Sequence, residues 1–266
     1  MKKRIISAAV VLAIFIPLLI IGGEAFSFGV FLISIFGLYE FINIKNEKKP
    51  VPAFIKFISY IMITLLILAN LQIKDLTFSI DYRVLSALFI AYLLPTVLYH
   101  NPQKYSVNDA FYLIGGVLFL GISLSSLILI RNQSITLTIY LFLISIMTDT
   151  YAYIVGSLIG KHKLLEVISP RKTWEGMIGG TFFGVFISTC FYYLFISSTM
   201  PIYAVILITL FLSILGQFGD LVFSAIKRYF SKKDFSNIMP GHGGVLDRID
   251  SILFVLLGFM FFMIFI

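Results

Sequence analysis

Along this chain, long apolar runs alternate with short polar breaks. The runs fall at about 5–22, 26–44, 53–72, 84–99, 109–130, 135–159, 175–197, 201–226 and 246–266. Their lengths approach the ~20 residues that a helix needs to cross a hydrocarbon core of ~30 Å. The pattern predicts an all-α fold, a polytopic integral membrane protein of about nine transmembrane helices. The breaks at Gly22–Glu24 and Ser197–Met200 are so short that they can join only antiparallel neighbours. Pro17 and Pro95 fall inside spans, where a bundle tolerates the kinks they introduce.

Composition agrees with the pattern. Apolar residues make up 59% of the chain, charged residues 12%, and mean hydropathy is +1.01. A soluble domain of this length could not cover so much hydrocarbon with polar surface. The opening MKKRIISAAVVLAIFIPLLIIGG has the basic start of a signal peptide. Its apolar stretch is longer than a usual signal core and no small-x-small cleavage site follows, so a retained first helix is expected. The lone Cys190 sits in an apolar run and allows no intrachain disulfide.

The breaks differ in charge. If the spans alternate in direction, Lys74, Arg83 and Arg131 lie on one side and all other lysines and arginines on the opposite side. Such a bias marks the basic side as cytoplasmic and puts the amino terminus there. The net charge of +7 then belongs to one membrane face, where it attracts anionic lipid headgroups. No separate basic domain exists, and no nucleic-acid partner is expected. The chain shows no internal repeat or low-complexity tract and reads as one domain, 1–266. Residues 1–144 are expected to be largely scaffold, and 145–266 to bring the chemistry on two richer cytoplasmic loops, Gly160–Trp174 and Lys227–Val245.

Asp220 is the strongest single chemical clue. It precedes Lys227 by seven residues, so on a helix it lies about 10 Å below the basic loop, on one face with Ser224 and Lys227. A carboxylate at that depth is costly unless it is paired, solvated in a cavity or bound to metal. A structural pair with Lys227 or Arg228 is the plain alternative. Asp247 and Asp250 open the last span one turn apart, where acids also serve as helix caps. Before them, PGHGG brings Gly241, Gly243 and Gly244, whose backbone can turn consecutive N–H groups toward an anion. Lys227, Arg228, Lys233 and Arg248 make the loop a mixed-sign site: carboxylates hold Mg²⁺, Mg²⁺ holds phosphates, and cations neutralise the remaining phosphate oxygens. Lys232 is expected only to orient the chain. His242 lacks the His or Cys partners that zinc requires.

An earlier segment repeats this logic. Asp149, Tyr153, Gly156, Ser157 and Gly160 follow helical spacing into Lys161, His162 and Lys163. Small residues such as Gly156 and Gly160 more often mark close helix packing than a ligand site. Ser169, Arg171, Lys172 and Thr173 precede the next span, and Glu175 suits a first helical turn.

Several of these positions together carry a resemblance. Ser224, Lys227-Arg228, Lys233-Asp234, Pro240, His242-Gly243-Gly244 and Asp247-Arg248-x-Asp250 resemble the C-terminal signature of the phosphatidate cytidylyltransferases, also called CDP-diacylglycerol synthases. Gly219-Asp220-Leu221, Asp149-x-x-Ala152-Tyr153 and Ser169-Pro170-x-Lys172-Thr173-x-Glu175-Gly176 are similar to that family as well. The resemblance covers about 148–250, the first half matching only in hydrophobic pattern. Met239 stands where the pattern has Leu, Ile or Phe, and Phe223 where many members carry a carboxylate.

The resemblance implies transfer of a cytidylyl group from CTP to phosphatidic acid, giving CDP-diacylglycerol and pyrophosphate, at the cytoplasmic face of a bacterial cytoplasmic membrane. It implies Mg²⁺, with more than one cation. Asp220 and Asp247 are the expected metal ligands, with Asp250 in support, and Lys227, Arg228 and Arg248 the expected phosphate holders. Substrate contacts are expected from Ser224, Lys233, Asp234, His242, Gly243, Gly244, Lys172, Thr173, Asp149 and Tyr153. A CTP-dependent polyprenol or phytol kinase would use similar parts. A transporter of phosphorylated solutes ranks third, because transporters usually show inverted repeats and broken helices around a midplane site. The sequence leaves oligomeric state open, a homodimer included.

Overall fold

A computed structural model describes residues 2–68, 82–196, 199–239, 241 and 243–263. Among them are nine α-helices: α1 (Lys2–Ile21), α2 (Gly23–Asn46), α3 (Ala53–Leu68), α4 (Tyr82–Leu98), α5 (Val107–Gln133), α6 (Ile135–Ile159), α7 (Trp174–Phe195), α8 (Ile202–Tyr229) and α9 (Leu246–Met260). They lie where the hydropathy pattern places them. Five of them, α2, α5, α6, α7 and α8, are individually long and apolar enough to cross a membrane. The apolar stretches of α1, α3 and α4 are shorter, and α9 runs for 15 residues, ~22 Å. The break at 160–174, expected as a loop, instead holds an antiparallel hairpin of β1 (Lys163–Leu165) and β2 (Ser169–Thr173).

The described residues form two compact units. One comprises residues 1–132 and 234–248, the other 133–233 and 249–266, so the chain passes between them three times.

In the first unit, Leu38, Ile55, Ile63, Leu66, Leu88, Leu113 and Leu120 are fully buried. Ile90, Leu94 and Val97 on α4 are exposed, as lipid-facing side chains should be. Phe41 and Tyr112 stack at 4.5 Å between ring centres, and the Tyr112 hydroxyl donates to the Phe41 carbonyl. Just beyond, Lys45 and Lys49 both pair with Asp109, which also accepts from the Ser106 backbone N–H and hydroxyl. The end of α2 is thereby tied to the start of α5. Arg131, an exception to the charge bias, donates to the carbonyls of Leu19 and Ile20 at 2.6 and 3.0 Å. A cation at these last carbonyls of α1 satisfies groups that the helix itself leaves unpaired.

In the second unit, α6 and α7 pack backbone to backbone. Gly176, Gly180 and Gly184 recur every fourth residue along one side of α7. A Cβ at Gly180 would fall 2.6 Å from the Thr148 carbonyl, and one at Gly184 2.3 Å from the Thr148 hydroxyl. Gly156 of α6 and Gly160, which caps that helix, make room for Thr173 in the same way, which is the packing role expected of small residues in membrane helices. Polar pairs link the spans inside this unit: Tyr140 with Thr209, Thr148 with Ser213, and Gln217 with Thr181. Phe223 is buried edge-on against Phe254, so the position where many similar proteins have an acid is core here.

Candidate active site

The second unit gathers charge where helices meet. Asp220 of α8 pairs through Oδ2 with the Lys172 ammonium of β2 at 2.7 Å, and its Oδ1 accepts from Ser224 at 3.3 Å. Asp250 of α9 is buried and within electrostatic reach of Asp220, Lys227 and Asp149. Asp149 of α6 accepts a hydrogen bond from Ser251 and feels Asp220 and Lys172. Lys227, only 7% exposed, completes the set. Three carboxylates thus face two ammonium groups, contributed by α6, the hairpin, α8 and α9.

The sequence offers Lys227 or Arg228 as the plain pairing alternative for Asp220; an ion pair seen at Asp220 is with Lys172. The hairpin is what brings it there, along with a weaker contact to the Gln217 carbonyl at 3.4 Å. Arg228 is exposed and braces the surroundings, donating to the carbonyls of Lys232 at 2.7 Å and Ile168 at 3.3 Å. Thr173 is buried and caps α7, its hydroxyl accepting from Gly176 N–H at 3.2 Å. Glu175, the expected first-turn acid, accepts from the His162 backbone and ring and closes the base of the hairpin. Tyr153, one turn beyond Asp149, is 76% exposed, and Lys233 is exposed as well.

The first unit holds a separate cluster around the glycine turn. Asp247 accepts through Oδ2 from the backbone N–H of Phe235 and of Gly244, each at 2.9 Å. Gly243 takes φ +82°, a left-handed value that L side chains rarely adopt, and a Cβ there would sit 2.9 Å from Asp247 Oδ2. The next two N–H groups, of Val245 and Leu246, donate to Glu40 of α2, both at 2.8 Å. Glu40 is fully buried, and its Oε1 also accepts from Ser236 at 2.6 Å. Glu40 is absent from the residues that the sequence singles out, although a lone acid in an apolar span is the signal that marks it. The N–H groups expected to meet a substrate phosphate therefore meet protein carboxylates. Arg248 and Asp234 are exposed at this cluster's surface, while Pro240 and His242 lie outside the described residues.

Among the described residues, no group of three or more His, Cys, Asp or Glu side chains is already drawn together as a metal cage. The fit to a hard divalent cation lies in the donor chemistry. Asp149, Asp220 and Asp250 supply carboxylate oxygens, the donor type that such a cation prefers, beside Lys172 and Lys227.

Apolar helices that hold clustered carboxylates and lysines define a membrane protein built to handle charged groups. The family model described as the cytidylyltransferase family matches residues 2–266. This chain belongs to that family and is a nucleotidyltransferase. The match spans the first half too, beyond the 148–250 in which its motifs are visible. A phosphatidate cytidylyltransferase of Staphylococcus haemolyticus is 38% identical over 262 residues, covering 96% of each chain. Proteins of the same name from Staphylococcus aureus and Staphylococcus epidermidis are 37% and 38% identical over 257 residues, again with 96% of each chain covered. The family generally uses divalent cations.

Proposed function

We propose that this protein transfers the cytidylyl group of CTP to phosphatidic acid, forming CDP-diacylglycerol and releasing pyrophosphate. The observation that carries this reading is the mixed-charge cluster of half-buried Asp149, Asp220 and Lys172 with buried Asp250 and Lys227, in a chain similar over 96% of its length to proteins named for this activity. An oxygen of the lipid phosphate attacks the α-phosphorus of CTP, and the bond from that phosphorus to the pyrophosphate oxygen breaks. The nucleophile is already ionised, so no strong general base is needed. Alignment of two polyanions and neutralisation of their charge supply the catalysis. Lys172 and Lys227 sit where they can offset phosphate charge, and Arg228 and Arg248 present planar forks suited to phosphate oxygens. Asp220 and Asp250 would hold a Mg²⁺ ion in the second unit, and Asp247 would hold a further cation in the first; such cations would screen phosphate charge and ease the departure of pyrophosphate. The kinase reading requires activation of a lipid hydroxyl and releases CDP instead. Pyrophosphate that appears only when CTP and phosphatidic acid are both present supports cytidylyl transfer; stoichiometric CDP with a lipid alcohol would replace this reading by the kinase.

The whole chain is taken as one membrane-embedded domain with nine crossings, its amino terminus and polar loops in the cytoplasm of a bacterial cell. The cation asymmetry motivates this placement. In a Cys190→Ala background, a cysteine at Asn237 should resist a membrane-impermeant reagent in intact cells, whereas one added after Ile266 should react. Labelling at Asn237 would place the loop outside and overturn the orientation.

A further inference from the structure

We propose that Glu40, on α2, is a positioning residue that fixes the start of α9 and with it Asp247 and Arg248. This deepens the cytidylyl-transfer reading and rests on it for the functional consequence alone. Glu40 is 0% exposed and follows the apolar stretch 30–39 of α2, and a carboxylate so placed is tolerated only when its oxygens are engaged. Here Oε1 accepts from Ser236 Oγ and Val245 N–H, and Oε2 from Leu246 N–H. The two amides are those of Leu246, the first residue of α9, and of Val245 just before it; N–H groups at a helix start have no partner within the helix and point their positive end outward. Glu40 therefore caps α9 from more than two hundred positions away in sequence.

The loop is shaped around this carboxylate. A Cβ at Gly244 would lie 2.5 Å from Glu40 Oε1 and 2.6 Å from Oε2, so glycine is required there by Glu40 itself and not by backbone conformation. Through Ser236 the same carboxylate holds the outgoing arm of the loop, and through Val245 and Leu246 the returning arm. Asp247 closes the loop between them, bonding Phe235 and Gly244. Neither oxygen of Glu40 is spare. An amide in its place would aim an N–H group at the Val245 or the Leu246 N–H, and a shorter acid would not reach both.

The test uses the full-length protein in detergent and has one arm that needs no catalysis. Glu40→Gln should speed amide hydrogen exchange at Val245 and Leu246 by about tenfold or more, as expected for loss of charge-assisted bonds, with exchange in α5 unchanged. In the activity arm, kcat/KM for CTP should fall by about tenfold to a hundredfold at unchanged membrane abundance. A double-substitution cycle separates positioning from general damage. Gly244→Ala should be strongly deleterious beside Glu40 but cost much less in a Glu40→Ala background, where the carboxylate it would strike is gone. Unchanged exchange in Glu40→Gln, or equal cost of Gly244→Ala in both backgrounds, overturns the role of Glu40. A wild-type protein that transfers no cytidylyl group would instead overturn the reading of the reaction, and the exchange result would stand.

Discussion

Asp220→Asn is expected to lower cytidylyl transfer by about a hundredfold to a thousandfold while leaving the folded protein at least as stable as wild type. Asparagine keeps the shape of the side chain and an oxygen that can accept from Lys172 or Ser224. It also removes one of three carboxylates that repel one another, since Asp149 and Asp250 both feel the charge of Asp220. A purely structural acid would behave in the opposite way, with stability lost first and activity following it. The measurement is turnover at equal protein amounts, set beside the unfolding temperature in detergent. Near-normal turnover at limiting Mg²⁺, or a joint fall of turnover and stability, would remove Asp220 from the reaction.

The second large effect concerns the cation that faces Asp250. Lys227→Met keeps the aliphatic stem but leaves the buried Asp250 carboxylate without its nearby positive charge. Removing one member of a buried charge set costs up to about 3–5 kcal/mol, less whatever the remaining carboxylate recovers by taking up a proton. Lys227→Met should therefore lose both stability and turnover. Adding Asp250→Asn to the same chain should restore much of the stability, since the stranded charge is gone, yet not the turnover. Thermal unfolding of both single variants and the double variant checks this. Strictly additive losses of stability would mean that Lys227 and Asp250 do not form one electrostatic unit.

The helices of this protein are legible in sequence because lipid imposes one simple rule, a long apolar run for each span, and α2, α5, α6, α7 and α8 obey it in full. Asp220, Ser224 and Lys227 are legible together for a similar reason, since helical spacing puts them on one face of α8. Lys172 as the partner of Asp220 is not, because the contact joins residues 48 apart and depends on the hairpin that turns β2 toward α8. The hairpin itself is hidden by its brevity and by Lys163, Arg171 and Lys172, which read as loop residues. Glu40 shows the opposite failure. Its signal, a lone acid in an apolar span, is plain, but its partners are backbone N–H groups near the far end of the chain, which no side-chain pattern announces. The same blindness hides the use of the glycine turn. Its N–H groups do converge on anions, as the glycines suggest, but the anions are Glu40 and Asp247. The stripe of Gly176, Gly180 and Gly184 was available by spacing alone and explains how closely α6 and α7 approach.

The most direct measurement of the central claim follows a phosphorus atom. Purified full-length protein is incubated with phosphatidic acid, Mg²⁺ and CTP labelled on either the α- or the γ-phosphate, and the lipid is extracted and counted. Cytidylyl transfer predicts label in the lipid from α-labelled CTP and none from γ-labelled CTP, and Asp220→Asn should slow its appearance by about a hundredfold or more. Label from the γ-position, or none from either, would contradict the account.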